Sequence, residues 1–409
     1  MSGRANERCM KQGYAAEASR GDQSSRGQTE RHHLPYARGM SITLDEQTRL
    51  ELKSYGLDEV QLAHFAERAK STQASSNAVT GHVAPPSPED VTALPKLGNG
   101  ERARLTRVGQ EAIRKGQVGA VILAGGMATR FGGVVKAAVP VLGEKTFLEI
   151  KIDDIAHAAS RSEGHVPVYV MTSFATHARI EAHILERDLQ RHKHLSIKCF
   201  SQFVSLRLTP EGALFQESDG APSPYATGHG DLSFALRQSG LLEAFRAGGG
   251  KLLTMSNVDN LGATLEPAIL GFHLERGAKI TAEVVQKDLG DKGGAPARVD
   301  GIPQIVEAFR FPADFNQDAI PVFNTNTFVL DAEAIDQEFA LPFYRVEKKV
   351  EGKTAIQFER LVGELTAFLP STFVKVERDG PDGRFQPAKD PEELARRLSN
   401  IEEIVRTRS

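Results

Sequence analysis

The chain has 409 residues, 40% of them hydrophobic, which is enough for two or three domains and a well-buried core. A formal charge of −3 and a pI near 6.5 remove any global electrostatic reason to expect nucleic acid or an acidic membrane as partner, so anion binding must be local. Two cysteines, Cys9 and Cys199, cannot build a zinc cage alone; no run approaches the ~20 apolar residues of a membrane span, and the first thirty residues lack the apolar core of a secretory signal, so a reducing cytoplasm is expected.

Residues 1–39 are rich in Arg, Gly, Ser and Gln, cannot offset their own ordering entropy, and are expected to be a disordered tail. Met40 opens a segment with folded character and is a candidate start. From 43 to 71 the pattern is helical: Leu62, Phe65, Ala66 and Ala69 recur on one face, and Gly56 separates two short helices. Residues 72–100, with Pro85, Pro86 and Pro88, read as an extended connector. A helix over 101–115 stops at Gly116, and a strand over 119–123 follows. Together, 40–117 form a helical N-terminal segment.

Beyond it strands and helices alternate. Leu148, Ile152, Ile155 and Ala159 mark a helix, 166–172 a strand, 176–191 helices and 252–255 a short strand. Strands at 278–286, 302–310 and 321–330 extend the sheet, and helices near 354–368 and 391–406 finish the chain. This rhythm predicts an α/β fold with a doubly wound, mainly parallel, Rossmann-like sheet over 118–335 and a C-terminal extension over 336–409. Ligands of such sheets sit beyond the carboxyl ends of the strands.

The segment from Ala120 to Val141, AVILAGGMATRFGGVVKAAVPV, sits at that edge. Gly125, Gly126, Gly132 and Gly133 lack a Cβ, so several N–H groups can approach one anion; Arg130 adds a planar fork of donors and Lys136 a mobile charge. It is neither GxxxxGK[ST] nor GxGxxG, which sets aside the two common phosphate motifs and, with them, a dehydrogenase. Without a ligand it would be an ordinary glycine-rich turn. A second run, Ser256 to Ala263, offers Asp259 as a hard oxygen for Mg²⁺, with Asn257 and Asn260 for hydroxyls; its plainer reading is an Asx turn. Further clusters are Gly228-His-Gly-Asp231, where His229 alone is more often structural, then Lys287, Asp291, Lys292, Gly293 and Gly294, and lastly Phe323-Asn-Thr-Asn326.

In this order the motifs resemble the UTP–glucose-1-phosphate uridylyltransferase family over about residues 101–390. The glycine loop with its lysine is similar to Leu123 to Lys136, departing at Ala128, where the family has glycine. FNQ, GHGD and NVDNLGA are similar to Phe200 to Gln202, Gly228 to Asp231 and Asn257 to Ala263. EV…K…D.KGG and FNTNN are similar to Glu283 to Gly294 and Phe323 to Thr327, and K…IQLE to Lys348 or Lys349 followed by Ala355 to Glu359. The chain ends without the family's C-terminal β-helix, so assembly through that domain is not expected; a monomer or small oligomer is.

The resemblance implies attack of a sugar-1-phosphate on the α-phosphorus of UTP with Mg²⁺, releasing pyrophosphate and forming UDP-glucose. It implies Arg130, Lys136 and Lys348 or Lys349 on phosphates, and Leu123, Ala124, Gly125, Gly126, Gln202, Gly228, His229 and Gly230 around the nucleotide. Asn257, Glu283, Gly293, Asn324 and Asn326 fall around the sugar, and Asp259 at the metal. The alternatives are a UDP-N-acetylglucosamine or other UDP-sugar pyrophosphorylase, and a noncatalytic UDP-sugar sensor on the same scaffold.

Overall fold

The structure, a computed structural model, describes residues 44–70, 77–128, 131–288, 291 and 293–408. The expected tail at 1–39, and also Thr129, Arg130 and Lys292, lie outside the described residues. Eight strands form the central sheet: β1 (Val91–Ala93), β2 (Val118–Leu123), β3 (Val166–Thr172), β4 (Leu195–Ser201), β5 (Leu252–Asn257), β6 (Ile280–Gln286), β7 (Val322–Asp331) and β8 (Ser371–Lys375). Their spatial order is β1-β8-β6-β7-β5-β2-β3-β4. All neighbours pair in parallel except where β7 lies between β5 and β6, antiparallel to both. The fold is thus mixed α/β around a large, mostly parallel sheet.

Near-continuous apolar runs such as VGAVIL in β2 suit strands covered on both faces. Side chains alternate across a strand. Ala120, Ile122, Val168 and Val170 accordingly enter one core with the helices Gly100–Arg114, Phe147–Arg161 and Pro267–Arg276. Val121, Tyr169 and Met171 enter a second core with Leu232, Leu236 and Phe245 from the helices Leu232–Gln238 and Leu241–Ala247. Asp58 caps the helix Glu59–Ala69, and a Thr146–Glu149 capping box starts Phe147–Arg161. Residues 42–409 gather into one unit. Among the described residues no helix is long and apolar enough to cross a membrane.

Three expectations change. Residues 354–368 are not a helix: Tyr344–Val350 and Lys353–Glu359 form an antiparallel hairpin, followed by a 3₁₀ turn at Val362–Ala367. The strand expected over 302–310 ends at Val306 and pairs with Ala295–Val299 in a separate three-stranded sheet, so it does not extend the central one. The connector at 72–100 contributes β1, an edge of the central sheet.

Register sets the site. Asn257 pairs with Leu123, Leu123 with Met171 and Met171 with Phe200, so four adjacent parallel strands leave the sheet at one level. The reversed β7 reaches the same edge from its first half. Its pairing with β6 shifts register between Ala282 and Val284, a bulge on the β7 side that contains Thr325, Asn326 and Thr327. Asn326 sits there at φ +57, a left-handed conformation that asparagine tolerates better than most residues.

Candidate active site

A cleft of about 360 Å³ opens at this edge, and nine of the sequence-predicted residues line it: Leu123, Gly125, Gly126, Lys136, Gln202, Gly228, His229, Asn257 and Asp259. Met171, Ala226, Val258 and Glu359 complete the wall. Ala124 is buried just behind it, its N–H donating to the Met171 carbonyl at 2.8 Å.

The glycine loop is held from two sides. Ser173 Oγ donates to the Gly125 carbonyl at 2.8 Å, and the Lys136 N–H to the Gly126 carbonyl at 3.3 Å. Met127–Ala128 pairs with Val134–Val135, and the turn between them includes Gly132 and Gly133 at φ +87 and +79. The Gln202 amide is laid directly on Gly125, since a Cβ there would stand 2.1 Å from Gln202 Nε2. Gln202 is fixed through its backbone: its N–H donates to the Thr172 carbonyl at 3.0 Å, and the next N–H, of Phe203, to Asp231 Oδ2 at 2.9 Å.

Asp231 is fully buried. It also accepts from Thr227 Oγ1 at 2.6 Å and from Arg360 Nε at 2.5 Å, so its role is to lock the base of the loop rather than to meet a ligand. Gly228 and Gly230 are glycines because the chain at Arg360 and Leu361 passes against them: a Cβ would come within 2.5 Å of the Arg360 carbonyl oxygen or the Leu361 nitrogen respectively. Gly230 is buried in that contact, and only Gly228 of the two lines the cleft. His229 Nδ1 accepts from the Val362 N–H at 3.1 Å, which leaves the proton on Nε2; burial pushes its pKa down to about 4 and keeps the ring neutral.

Lys136 opens a one-turn 3₁₀ helix, and its Nζ meets Asp259 Oδ2 at 2.5 Å, each side chain only about 15% exposed. Residues 123 positions apart thus form a compact cation–carboxylate pair inside the cleft. Among the described residues no group of three or more His, Cys, Asp or Glu side chains converges as a cation cage. Asp259 offers the cleft one hard carboxylate, paired with Lys136.

On the far side of β5, Asn326 Nδ2 donates to Asn257 Oδ1 at 3.0 Å, and the Asn326 N–H to Asn324 Oδ1 at 3.1 Å. The three predicted asparagines form one chain at the lip. Gly293 lies beside the Phe323 ring, 3.5 Å from the position of a Cβ. Two expected hydroxyl ligands are otherwise engaged. Glu283 is buried and takes a two-pronged ion pair from Arg384 at 2.6 and 2.7 Å, so its carboxylate is a structural partner and not a free acceptor. Asn260, also buried, accepts from the Gln386 N–H at 2.8 Å and donates to the Arg384 carbonyl at 3.2 Å. Lys348 and Lys349 separate across the hairpin. Lys348 Nζ lies 3.6 Å from Glu359, which lines the cleft, whereas Lys349 donates to Thr354 Oγ1 at 2.7 Å.

Sequence reasoning passed over several supporting groups. Glu359 was visible only as the last letter of a motif. Lys151, on the buried face of its helix, donates to Ser256 Oγ at 2.9 Å and to the Ala263 carbonyl, tying both ends of the Asn257 to Gly262 loop. Burial pushes its pKa down to about 7.

A mostly parallel sheet with a glycine loop, a side-chain amide and a cation–carboxylate pair at its carboxyl edge defines an α/β protein with its ligand cleft at that edge. The chain belongs to the UTP–glucose-1-phosphate uridylyltransferase family, whose model matches residues 61–406. It is 28% identical over 309 residues to the UTP–glucose-1-phosphate uridylyltransferase of Encephalitozoon cuniculi, a match covering 72% of this chain and 60% of the relative. The chain thus spans less than two thirds of that relative's length. Among solved structures it is similar to the UDP-N-acetylglucosamine pyrophosphorylase of Trypanosoma brucei in complex with inhibitor (TM-score 0.69, 21% identity, covering 86% of this chain and 79% of that one). It is also similar to the UDP-glucose phosphorylase of the same organism (TM-score 0.67, 22% identity, covering 85% and 76%). At these identities the two structures speak for the fold.

Proposed function

We propose that this chain is a uridylyltransferase that forms UDP-glucose and pyrophosphate from UTP and glucose-1-phosphate. The observation that carries this reading is the single cleft in which Gln202 lies on the glycine loop, Lys136 meets Asp259, and Asn257 holds Asn326. Gln202 offers a donor and an acceptor to the imide edge of uracil, and neutral His229 offers Nε2–H. The glycine-loop amides and Arg130 take the β- and γ-phosphates, and Lys136 swings from Asp259 to the α-phosphate. Asn257, Asn324 and Asn326, with Gly293 beside them, meet the sugar hydroxyls, and Lys348, the nearer of the two lysines, the sugar phosphate.

An oxygen of the sugar phosphate attacks the α-phosphorus of UTP; the bond to the β-phosphate oxygen breaks, and pyrophosphate leaves with its electron pair. Nothing here requires a covalent nucleophile, because the residues act by positioning and charge neutralisation. Mg²⁺, held by Asp259 together with UTP phosphate oxygens, would neutralise part of the phosphate charge when bound. On the same reading the sheet is doubly wound and Rossmann-like, and the reaction belongs in the cytoplasm.

The test is a panel of glucose-, galactose- and N-acetylglucosamine-1-phosphate, each assayed for pyrophosphate release with UTP, CTP, GTP and ATP in the presence of Mg²⁺. UTP with glucose-1-phosphate should give the highest kcat/KM. Preference for another sugar would reassign the hexose. Tight UDP-glucose binding with no exchange of labelled pyrophosphate would make the chain a sensor instead.

A further inference from the structure

A second cavity, about 530 Å³ in volume, lies between the helix Phe147–Arg161, the segment 191–194 and the helix Pro391–Arg408. Its floor is apolar, with Ile150, Leu261 and Ile404. Its wall is rich in basic groups, Lys145, Lys151, Arg191, Lys193 and Arg408, which face two aspartates. The two aspartates are committed. Asp153 meets Lys145 at 2.7 Å, His192 at 3.1 Å and Arg191 at 3.3 Å, while Asp154 accepts the Leu265 N–H at 2.9 Å. Among the described residues no carboxylate forms an ion pair with Lys193, and the Nε2 atom of His157, also in the wall, is buried without a hydrogen-bond partner.

A buried, unpartnered imidazole nitrogen beside basic side chains that outnumber the carboxylates, over an apolar floor, is the lining expected of an amphipathic anion site. We propose that this cavity is a second binding site, for a small organic phosphate whose anionic head meets Lys193 and His157 and whose body covers Ile150 and Ile404. The site has a physical route to the cleft. Lys151 forms part of the cavity wall and holds Ser256 and Ala263, so an anion that draws its ammonium outward loosens the loop carrying Asn257 and Asp259. Occupancy therefore inhibits. This coupling rests on the transferase reading; the binding does not.

Phenyl phosphate and inorganic phosphate serve as probes, with binding followed by calorimetry on the full chain and turnover followed separately. Phenyl phosphate should bind more tightly than inorganic phosphate. Lys136→Ala, a change in the cleft, should retain the binding, while Lys193→Glu and His157→Phe should each weaken it at least tenfold with basal turnover unchanged. Inhibition should lower kcat at saturating UTP. The proposal is overturned if Lys136→Ala abolishes the binding, which would place the probe in the cleft, or if Lys193→Glu, a surface change that leaves folding intact, binds as the parent does. Binding with the expected variant pattern but no inhibition would keep the site and overturn the route through Lys151.

Discussion

Replacing Gly125 by alanine tests the nucleotide side of the cleft with a single methyl group. Gly125 has no left-handed backbone conformation, so alanine is allowed there and the added Cβ is the whole perturbation. That Cβ would stand 2.1 Å from Gln202 Nε2 and 3.3 Å from the Thr172 carbonyl carbon. The backbone at Thr172 is fixed in the sheet, so the amide must retreat by roughly 1.5 Å to reach ordinary contact. On the proposed assignment, a displaced amide forfeits its pair of hydrogen bonds to the base and leaves polar groups unpaired, at a cost of about 2–3 kcal/mol, or a fall of about 30- to 150-fold in kcat/KM for UTP. Gln202→Ala should cause a similar loss. Because both changes remove the same interaction, the double variant should be little worse than either single one. Steady-state kinetics with UTP and CTP on the three variants measure this, and Gly125→Ala with the parent's kcat/KM for UTP, or losses that simply add, would refute the reasoning.

Other outcomes follow from the same geometry. Lys136→Ala should lower kcat by two orders of magnitude or more, measured as pyrophosphate release at saturating UTP, and near-normal turnover would remove the lysine from the phosphate site. Asp259→Asn should raise the Mg²⁺ concentration needed for half-maximal rate; an unchanged requirement would place the cation elsewhere. Asn326→Ala should raise KM for the sugar phosphate about tenfold with little change in KM for UTP, since its side chain bonds Asn257 on the side proposed for the sugar. Burial pushes the pKa of His273 down from 6.5 to about 4, so the folded chain keeps it neutral while the unfolded chain takes up a proton first. Its contribution is whole above about pH 6.5 and is lost toward pH 4, a loss of about 3 kcal/mol. His273→Gln should flatten that limb of a urea-unfolding series against pH, and an unaltered slope would count against it.

The parts of this molecule legible in the sequence are those whose cause is local. The helix at Gly100–Arg114 shows its stop at Gly116, β2 shows an unbroken apolar run, and the loop after it shows its glycines. The hairpin strand Lys353–Glu359 did not show itself: Ala355 to Phe358 are all buried, which erases the alternation that separates strand from helix. β1 and β8 are short and take their pairing from strands far away in sequence. The same distance hid the true partner of Glu283, because nothing near it announces Arg384, 101 residues later. Asn257 and Asn260 look equivalent in sequence. Only the approach of residues 384–386 makes the second a bracket for the chain.

The reversal of β7 has a consequence for how selectivity can change. The glycine loop and Gln202 hang from parallel strands β2 and β4, whereas Asn324 and Asn326 hang from the one antiparallel strand, at a bulge where the ladder is already interrupted. Residues can be exchanged or inserted within that bulge without sliding β2, β3 or β4 by a residue, a slip that would turn their side chains to the wrong face. On the proposed assignment, the part of the sugar side carried by β7 can change without moving the nucleotide side, while Asn257 stays in register with Leu123, so new sugar preferences are best sought by varying residues 325–327.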